Sequence, residues 1–297
     1  MKKLIPLLIL PFVFPVLSAQ EKPAPQEVIL ASKAPPLPIG QTMETTDKFS
    51  MADSTIKMQF DDQEFGGTVS ASDTEKQHWE FLSPTKIRVT FVEHTSLSVT
   101  KMLGEEDVEK SEGAVMGKVV LFEEKDGTWS GTLKEGKVEK DQQEEFDEEI
   151  DDLEKVLNDD VEENIKMYGL KPRKIGESWK VDPTSLPSID FMEVQGGNVW
   201  LKLIDVKNFN DEPCAVLEAK LDLTGHFIDE EMEGMNAKLS GSMRVIRSLK
   251  YFMDYKITGD MEFKMSGDTE IQPGFVAQYS SEGKMKMTIR STFLDKK

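Results

Sequence analysis

The sequence is poor in the residues that build most metal and thiol sites. It has one cysteine and three histidines among 297 residues. The single Cys214 excludes an intrachain disulfide; its place before an apolar stretch indicates a buried small hydrophobe, with a reactive thiol as the alternative. The histidines, His78, His94 and His226, are scattered, and no Cys/His cluster has the ligand spacing of a zinc site. We therefore expect no metal ion and no cofactor.

Motifs with a known catalytic mechanism are also missing from the sequence. It contains no G-x-S-x-G nucleophile elbow, no phosphate-binding glycine loop followed by Lys and Ser/Thr, and no dinucleotide fingerprint. Carboxylates are so abundant that no pair stands out as the acid and base of a glycosidase. The sequence assigns no catalytic residue. An enzyme of this sequence would be a hydrolase without a recognisable motif.

Basic residues are outnumbered by acidic ones. The chain has 36 Lys and Arg against 55 Asp and Glu, a net charge of −19 at pH 7. Nucleic-acid backbones and anionic membrane surfaces select basic patches and repel a chain this acidic. We therefore expect no nucleic-acid partner.

The N-terminus has the features of a secretory leader. Lys2 and Lys3 precede an apolar run, residues 4–17, and Ser18-Ala19 provides a small-residue cleavage site. Because a bilayer needs about 20 apolar residues, the run predicts a signal peptide over residues 1–19, cut after Ala19, rather than an uncleaved anchor. The protein would then be periplasmic or extracellular. No later apolar run in the sequence is long enough to predict a transmembrane segment.

The rest of the chain is predicted to be a proline-rich linker, residues 20–45, and a single β-rich domain, residues 46–297. Apolar and polar residues alternate along most of the domain, most clearly over Ala215–Leu223. Short turns such as Lys125-Asp126-Gly127 favour antiparallel neighbours. We expect a first meander over residues 46–140, with an acidic loop at Gly104–Gly113, and a second over residues 171–297.

One long helical pattern, residues 141–170, separates the two meanders. Its apolar residues recur every three or four positions and form one stripe: Phe146, Ile150, Leu153, Leu157, Val161, Ile165 and Tyr168. Asp141 fits an N-cap, and Gly169 followed by Pro172 fits the end of the helix. Asn158-Asp159-Asp160 could begin a second helix, but the stripe keeps its phase there, which favours one helix. The acidic residues predict a solvated face, with loose Ca²⁺ binding as the alternative.

These patterns predict an α+β fold that is mostly antiparallel β. The two meanders would form a strongly curved sheet or half-barrel, and the apolar stripe of the acidic helix would cover it. Methionine is frequent, with 16 residues, and Met261, Met265, Met285 and Met287 fall on inward phases of their strands. A methionine row at this alternating spacing usually belongs to the core. Because methionine adapts to irregular space and varied partners, a sheet lined by it could either pack tightly or accept a lipid-like ligand; a copper(I) site is a further alternative.

The segment Gly176–Val181, G-E-S-W-K-V, together with the long alternating strands after it, resembles uncharacterised β-rich envelope proteins of bacteria. In architecture, a curved antiparallel sheet with a helical cover is similar to periplasmic lipoprotein- and lipid-carrier half-barrels. The resemblance to the envelope proteins implies no catalytic residues.

Three functions follow from these observations. The first is a non-enzymatic binding or carrier protein for an apolar, lipid-like ligand in a concavity lined by Trp79, Phe81, Phe91, Leu157, Met243, Met261 and Met285. The second is a structural or adaptor protein of the cell envelope that acts through protein contacts. The third is a hydrolase. A cavity of ~300 Å³ or more among those side chains would support the first, and close packing would count against it.

Overall fold

The computed structural model describes residues 27–60, 62–185, 192–228, 235–272 and 275–294. The predicted signal peptide and its cleavage site lie outside these residues.

Long strands make up most of the described chain. In order, they are β1 (Glu27–Val28), β2 (Thr42–Phe60), β3 (Gln63–Ser83), β4 (Lys86–Met102), β5 (Glu105–Glu112), β6 (Val119–Lys125), β7 (Thr128–Glu135), β8 (Arg173–Lys174), β9 (Ser178–Val181), β10 (Met192–Phe209), β11 (Glu212–Phe227), β12 (Asn236–Ser248), β13 (Asp254–Gln272) and β14 (Phe275–Phe293). One long helix, α1 (Gln143–Tyr168), lies between β7 and β8, and short 3-10 turns occupy Lys140–Gln142 and Pro183–Ser185.

Twelve of these strands form one antiparallel sheet. Its order is β7-β6-β4-β3-β2-β14-β13-β12-β11-β10-β9, and β5 also pairs with β4. The sheet is not closed, because β7 and β9 lie at its two ends. The two meanders join where β2 pairs with β14 along most of its length. A mostly antiparallel β fold with one long helix is confirmed.

The turn chemistry of the first meander is confirmed at one hairpin, and one predicted loop is wrong. Asp126 and Gly127 both have positive φ, 53° and 83°, as a two-residue hairpin turn requires. The predicted loop Gly104–Gly113 is instead largely the strand β5, which is exposed throughout. A strand exposed on both faces has no apolar alternation, so the periodicity of the sequence does not reveal it.

Part of the predicted linker, residues 27–45, is packed in the structure, and residues 20–26 lie outside the described part of the chain. Leu30 is 0% exposed and Val28 is 7% exposed, and both belong to a hydrophobic core. β1 pairs with β8, and β2 begins at Thr42. A short apolar segment among the prolines therefore packs on the sheet. The assignment of residues 46–297 to a single domain stays a prediction.

The helix is continuous from Gln143 to Tyr168, as its unbroken stripe predicted. Asn158 does not start a second helix, because its side chain binds the backbone of Trp129 on β7: its Oδ1 accepts from the Trp129 N–H at 2.7 Å. Gly169 ends the helix with φ 72°, and its N–H donates to the Ile165 carbonyl at 2.9 Å. Asp141 is not the N-cap, since it lies in the 3-10 turn that leads into α1.

α1 connects two hydrophobic cores on one face of the sheet, which we call the helix face. The buried members of the first core are Met43, Phe81, Ile87, Val89, Phe91, Ala114, Val115, Val120, Phe122, Phe146 and Ile150. The second core includes Val28, Leu30, Tyr168, Trp179, Val199, Leu201, Leu217, Leu223, Leu239, Met261 and Met285. Phe146 and Ile150 at the start of the helix pack in the first, and Tyr168 at its end packs in the second.

A buried arginine fixes the C-terminal end of α1 to the sheet. Arg247 is 1% exposed. Its guanidinium donates to the Leu30 carbonyl (Nε, 2.8 Å), Asp254 Oδ1 (Nη1, 2.8 Å) and Asn164 Oδ1 (Nη2, 2.6 Å). It also lies 4.1 Å from the centre of the Tyr168 ring. One side chain thus joins the N-terminal segment, α1 and the strand pair β12–β13.

Cys214 is predicted to be unreactive in the folded protein. Its side chain is 0% exposed, and burial followed by the nearby Glu212 charge raises its pKa from 9.0 to about 11. Two pKa units correspond to about a hundredfold less thiolate, which is the nucleophilic form. We expect Ellman's reagent to label less than one tenth of the native protein within an hour and all of it in denaturant. Full labelling without denaturant would contradict the buried position.

Candidate functional site

The structure divides the seven predicted ligand-lining residues between the two cores. Phe81 and Phe91 are buried in the first core, and Trp79 and Leu157 pack against it. Met261 and Met285 belong to the second core, with Met243 packed against it. The seven side chains therefore do not line one cavity. Trp79, Phe81 and Phe91 are part of the packing beneath α1, and Leu157 belongs to the apolar stripe of α1 itself.

Two surface depressions in the described part of the chain are lined mainly by polar and charged residues. One, of about 310 Å³, lies among nine residues that include Lys57, Glu64 and Asp268. The other, of about 360 Å³, is lined by Lys207, Arg244, Ile246, Lys256 and Thr258. None of the seven predicted residues lines either of them.

A continuous apolar surface lies on the helix face across four strands. We call it the methionine face: Phe49, Met51, Met243, Ile257, Met261, Phe263, Met285 and Met287. Strand register places Met261 opposite Met285, and Met285 opposite Met51. Met261 and Met285 are buried, and the other six are half-buried. The inward phases predicted for Met261 and Met285 are confirmed, and these two join Met243 on one surface.

Glycines let the side chains of this surface lie close to the backbone. Gly259 is the strand partner of both Met243 and Met287. A Cβ at Gly259 would lie 3.2 Å from Met243 Cγ, and one at Gly283 would lie 1.9 Å from Ser54 Oγ and 2.9 Å from Phe263 Cε1. Met243 therefore occupies the space that a side chain at Gly259 would need, and Ser54 and Phe263 occupy the space at Gly283.

Next to this surface, the helix face of β3 changes from apolar to polar. Trp79, Gln77, Glu75 and Asp73 follow one another on this face at every second residue. The Trp79 Nε1–H donates to Gln77 Oε1 at 2.8 Å, and the Gln77 amide nitrogen donates to Glu75 Oε1. Gln77 is 6% exposed, so this hydrogen-bonded row runs from the edge of the first core to a half-buried carboxylate.

Glu75 belongs to a cluster that the sequence did not reveal. It is the strand partner of His94 on β4, and Glu149 of α1 approaches from above. One ligand atom from each of the three side chains lies within 4.8 Å of the others. Glu149 Oε1 is 3.2 Å from His94 Nδ1, and Asp73 Oδ2 is 3.8 Å from His94 Nε2. His94, which the sequence shows only as one of three scattered histidines, is therefore surrounded by carboxylates in the folded chain.

The cluster concentrates negative charge in a partly buried place. Burial raises the pKa of Glu149 to about 7; His94 opposes the rise, and Glu75 and Glu145 add to it. Burial is also the main cause of the raised pKa of Glu75 and of Asp73. Three carboxylates around one imidazole can bind a proton or a cation, because either relieves their mutual repulsion.

The described residues contain no helix that is long and apolar enough to cross a membrane.

No protein-family model matches the chain, and no curated protein matches it. Among solved structures, one titled for lipid–protein interactions in lipovitellin has 7% identity and a TM-score of 0.39, and the match covers 87% of this chain but only 26% of that one. An outer membrane channel from Pseudomonas putida F1 has 10% identity, a TM-score of 0.20, and coverages of 87% and 98%. The translocator domain of the autotransporter NalP from Neisseria meningitidis has 8% identity, a TM-score of 0.17, and coverages of 84% and 88%. All three TM-scores are below 0.5, so none of these likenesses establishes a shared fold.

Proposed function

We propose that the protein is a non-enzymatic binding or carrier protein that holds an apolar, lipid-like ligand on the methionine face. The observation that carries the proposal is the continuity of this surface across β2, β12, β13 and β14, with six of its eight side chains only half-buried. We further propose that the protein is exported, with residues 1–19 removed, and acts in the periplasm or outside the cell.

The composition of the surface favours a flexible apolar ligand. Five of its eight side chains are methionines, which are unbranched and polarizable and can repack around acyl chains of different shape. Covering half-buried apolar side chains contributes about 25 cal/mol per Å² of area removed from water. α1 packs on the first core at its N-terminal end and in the second core at Tyr168, and a ligand would cover the half-buried side chains of the methionine face.

The strand irregularities beside the surface support a strongly curved, half-barrel shape. The β2–β14 pairing changes register between Glu282 and Lys284, and the β2–β3 pairing changes between Met51 and Ser54. Such bulges bend a strand and increase its twist. A curved sheet would turn the methionine rows toward a concavity and let them surround more of a ligand than a flat sheet could.

Polar substitution on this surface should weaken ligand binding without unfolding the protein. Met243→Gln and Met287→Gln keep the length of the side chain, but each places an amide against the ligand, at a cost of about 1–3 kcal/mol. We expect each variant to bind a fluorescent long-chain fatty acid about tenfold more weakly, since tenfold corresponds to about 1.4 kcal/mol. Fluorescence titration measures the affinity.

The matched control is Lys286→Gln, between Met285 and Met287 on the exposed side of the same strand. It should bind the fatty acid as the unchanged protein does. Native mass spectrometry of protein isolated from its own cells, followed by organic extraction, should identify the ligand. A bare mass, together with equal fatty-acid affinities in all three variants, would contradict the carrier function.

A further inference from the structure

The acidic cluster beside the methionine face has the composition of a metal site. From its geometry we propose that Glu75, His94 and Glu149 bind a divalent transition-metal ion, with zinc as the reference ion. One imidazole nitrogen and two carboxylates are ligands that zinc accepts, and three protein ligands leave a fourth position open. The site is independent of the proposed ligand-binding function, because none of its residues belongs to the methionine face.

The three ligand atoms are close to the spacing that an ion imposes. Ligands about 2.0–2.2 Å from zinc lie about 3.3–3.6 Å apart at the corners of a tetrahedron. Glu149 Oε1 and His94 Nδ1 are 3.2 Å apart, and the complete set of three lies within 4.8 Å. Small rotations of the Glu75 and Glu149 side chains would bring all three atoms onto one ion.

His94 supplies an observation that points to a ligand independently of the carboxylates. Its Nδ1 atom is buried and makes no hydrogen bond to the described residues, while Glu149 Oε1 lies 3.2 Å away. Buried polar nitrogens without a partner are rare in folded proteins. An ion coordinated by Nδ1 would satisfy this atom and bridge it to the Glu149 carboxylate.

Gly113 keeps the imidazole in this position. A Cβ at residue 113 would lie 2.0 Å from His94 Nδ1 and 2.5 Å from its Cγ. The Gly113 N–H also donates to the His94 carbonyl at 3.0 Å, which holds the two backbones together. Any other side chain here would displace the ring from the cluster.

The ligands also have the supporting partners that metal sites use. Metal-binding histidines usually turn their second nitrogen toward a carboxylate, which fixes the tautomer. Asp73 Oδ2 lies 3.8 Å from His94 Nε2, within reach of such an arrangement. Gln77 donates to Glu75 Oε1 and leaves Oε2 available for an ion.

The three ligands lie on three different elements, so a bound ion would connect these elements. Glu75 lies on β3, His94 on β4 and Glu149 on α1. A bound ion would link the first half of the helix to the sheet and cancel the charge of two carboxylates. We therefore expect binding of the ion to stabilise the folded state.

Zinc titration of the purified, chelator-treated protein tests the proposal. We expect isothermal titration calorimetry to show one site per chain, and thermal unfolding to show a rise in Tm of several degrees with saturating zinc. His94→Gln and Glu149→Gln should each lower zinc affinity at least a hundredfold and abolish the rise. Cobalt(II) binding followed by its visible absorption bands reports nitrogen and oxygen ligation without relying on stability.

The matched controls carry the same changes outside the cluster. His78→Gln alters a histidine that contacts Glu44, and Glu148→Gln alters the exposed neighbour of Glu149. Both should bind zinc as the unchanged protein does. If His78→Gln and His94→Gln lowered zinc affinity equally, or if the folded protein showed no saturable zinc binding, the proposed site would be overturned. Met287→Gln should leave zinc affinity unchanged, so failure of the carrier proposal and failure of this one are distinguishable.

Discussion

Arg247→Ala is expected to lower the free energy of unfolding by about 3–5 kcal/mol, the usual cost of removing one partner of a buried ion pair. Arg247 is 1% exposed and donates to Asp254, Asn164 and the Leu30 carbonyl. Alanine would leave these three acceptors without their donor in a region that water does not reach freely. It would also open a cavity beside the Tyr168 ring.

Arg247→Ala removes contacts at one position but should destabilise both the N-terminal segment and the end of α1. Tyr168 donates its hydroxyl to Asp254 Oδ2 at 3.1 Å, so the carboxylate that loses Arg247 also positions the end of α1. Leu30 belongs to the second core, and its segment would lose its hydrogen bond to the guanidinium. We expect hydrogen exchange to show the largest increase at residues 27–31 and in the last turn of the helix.

The control for this prediction is Arg244→Ala, on the same strand with its side chain exposed. It should change stability by less than about 0.5 kcal/mol, as surface substitutions usually do. Urea denaturation followed by circular dichroism measures both variants. Equal, small effects would mean that the Arg247 network contributes specificity of packing rather than stability.

The elements that could be predicted from the sequence are those with local signals. The stripe from Phe146 to Tyr168 predicts α1, because helical spacing is visible within one segment. The Asp126-Gly127 turn predicts its hairpin, since positive φ limits the residues that fit. β5 had no such signal, because both of its faces are exposed.

The joining of the two meanders could not be predicted from local patterns. β2 pairs with β14, more than 200 residues away, and this pairing builds the methionine face from Met51 and Met285. The sequence placed Trp79 and Phe81 on the same surface as Met243 because all have inward phases. Phase fixes the face of a strand but not its place in the sheet: Trp79 and Phe81 lie in or against the first core, whereas Met243 packs against the second.

The cluster beside the methionine face could not be predicted from the sequence for a related reason. Glu75, His94 and Glu149 are far apart in sequence, and each is ordinary in its own segment. Alternation along β3 could have revealed the β3 side of the cluster, since Glu75 and Asp73 continue the inward phase of Phe81 and Trp79. Charged residues on an inward phase indicate a buried polar site, but their partner on the helix is known only from tertiary packing.

Ile150→Asp is expected to lower the free energy of unfolding by about 3–5 kcal/mol. Ile150 is 8% exposed and lies in the first core with Phe122. A Cβ at Gly131 of β7 would lie 2.8 Å from Ile150 Cγ2, so the helix and the strand are in tight contact here. The substitution removes apolar contact and places a carboxylate without a partner in the first core.

Three comparisons separate the causes of this loss in urea denaturation. Ile150→Asn introduces a side chain of nearly the same shape as aspartate but without its charge. It should lower the free energy of unfolding by at least about 1 kcal/mol less than Ile150→Asp does. Leu157→Asp should cost less than Ile150→Asp, because Leu157 is only half-buried. Glu148→Gln, on the exposed face, should change stability by less than about 0.5 kcal/mol. If Glu148→Gln proved the costlier change, the charged face of α1 rather than its apolar stripe would be the one that stabilises the fold.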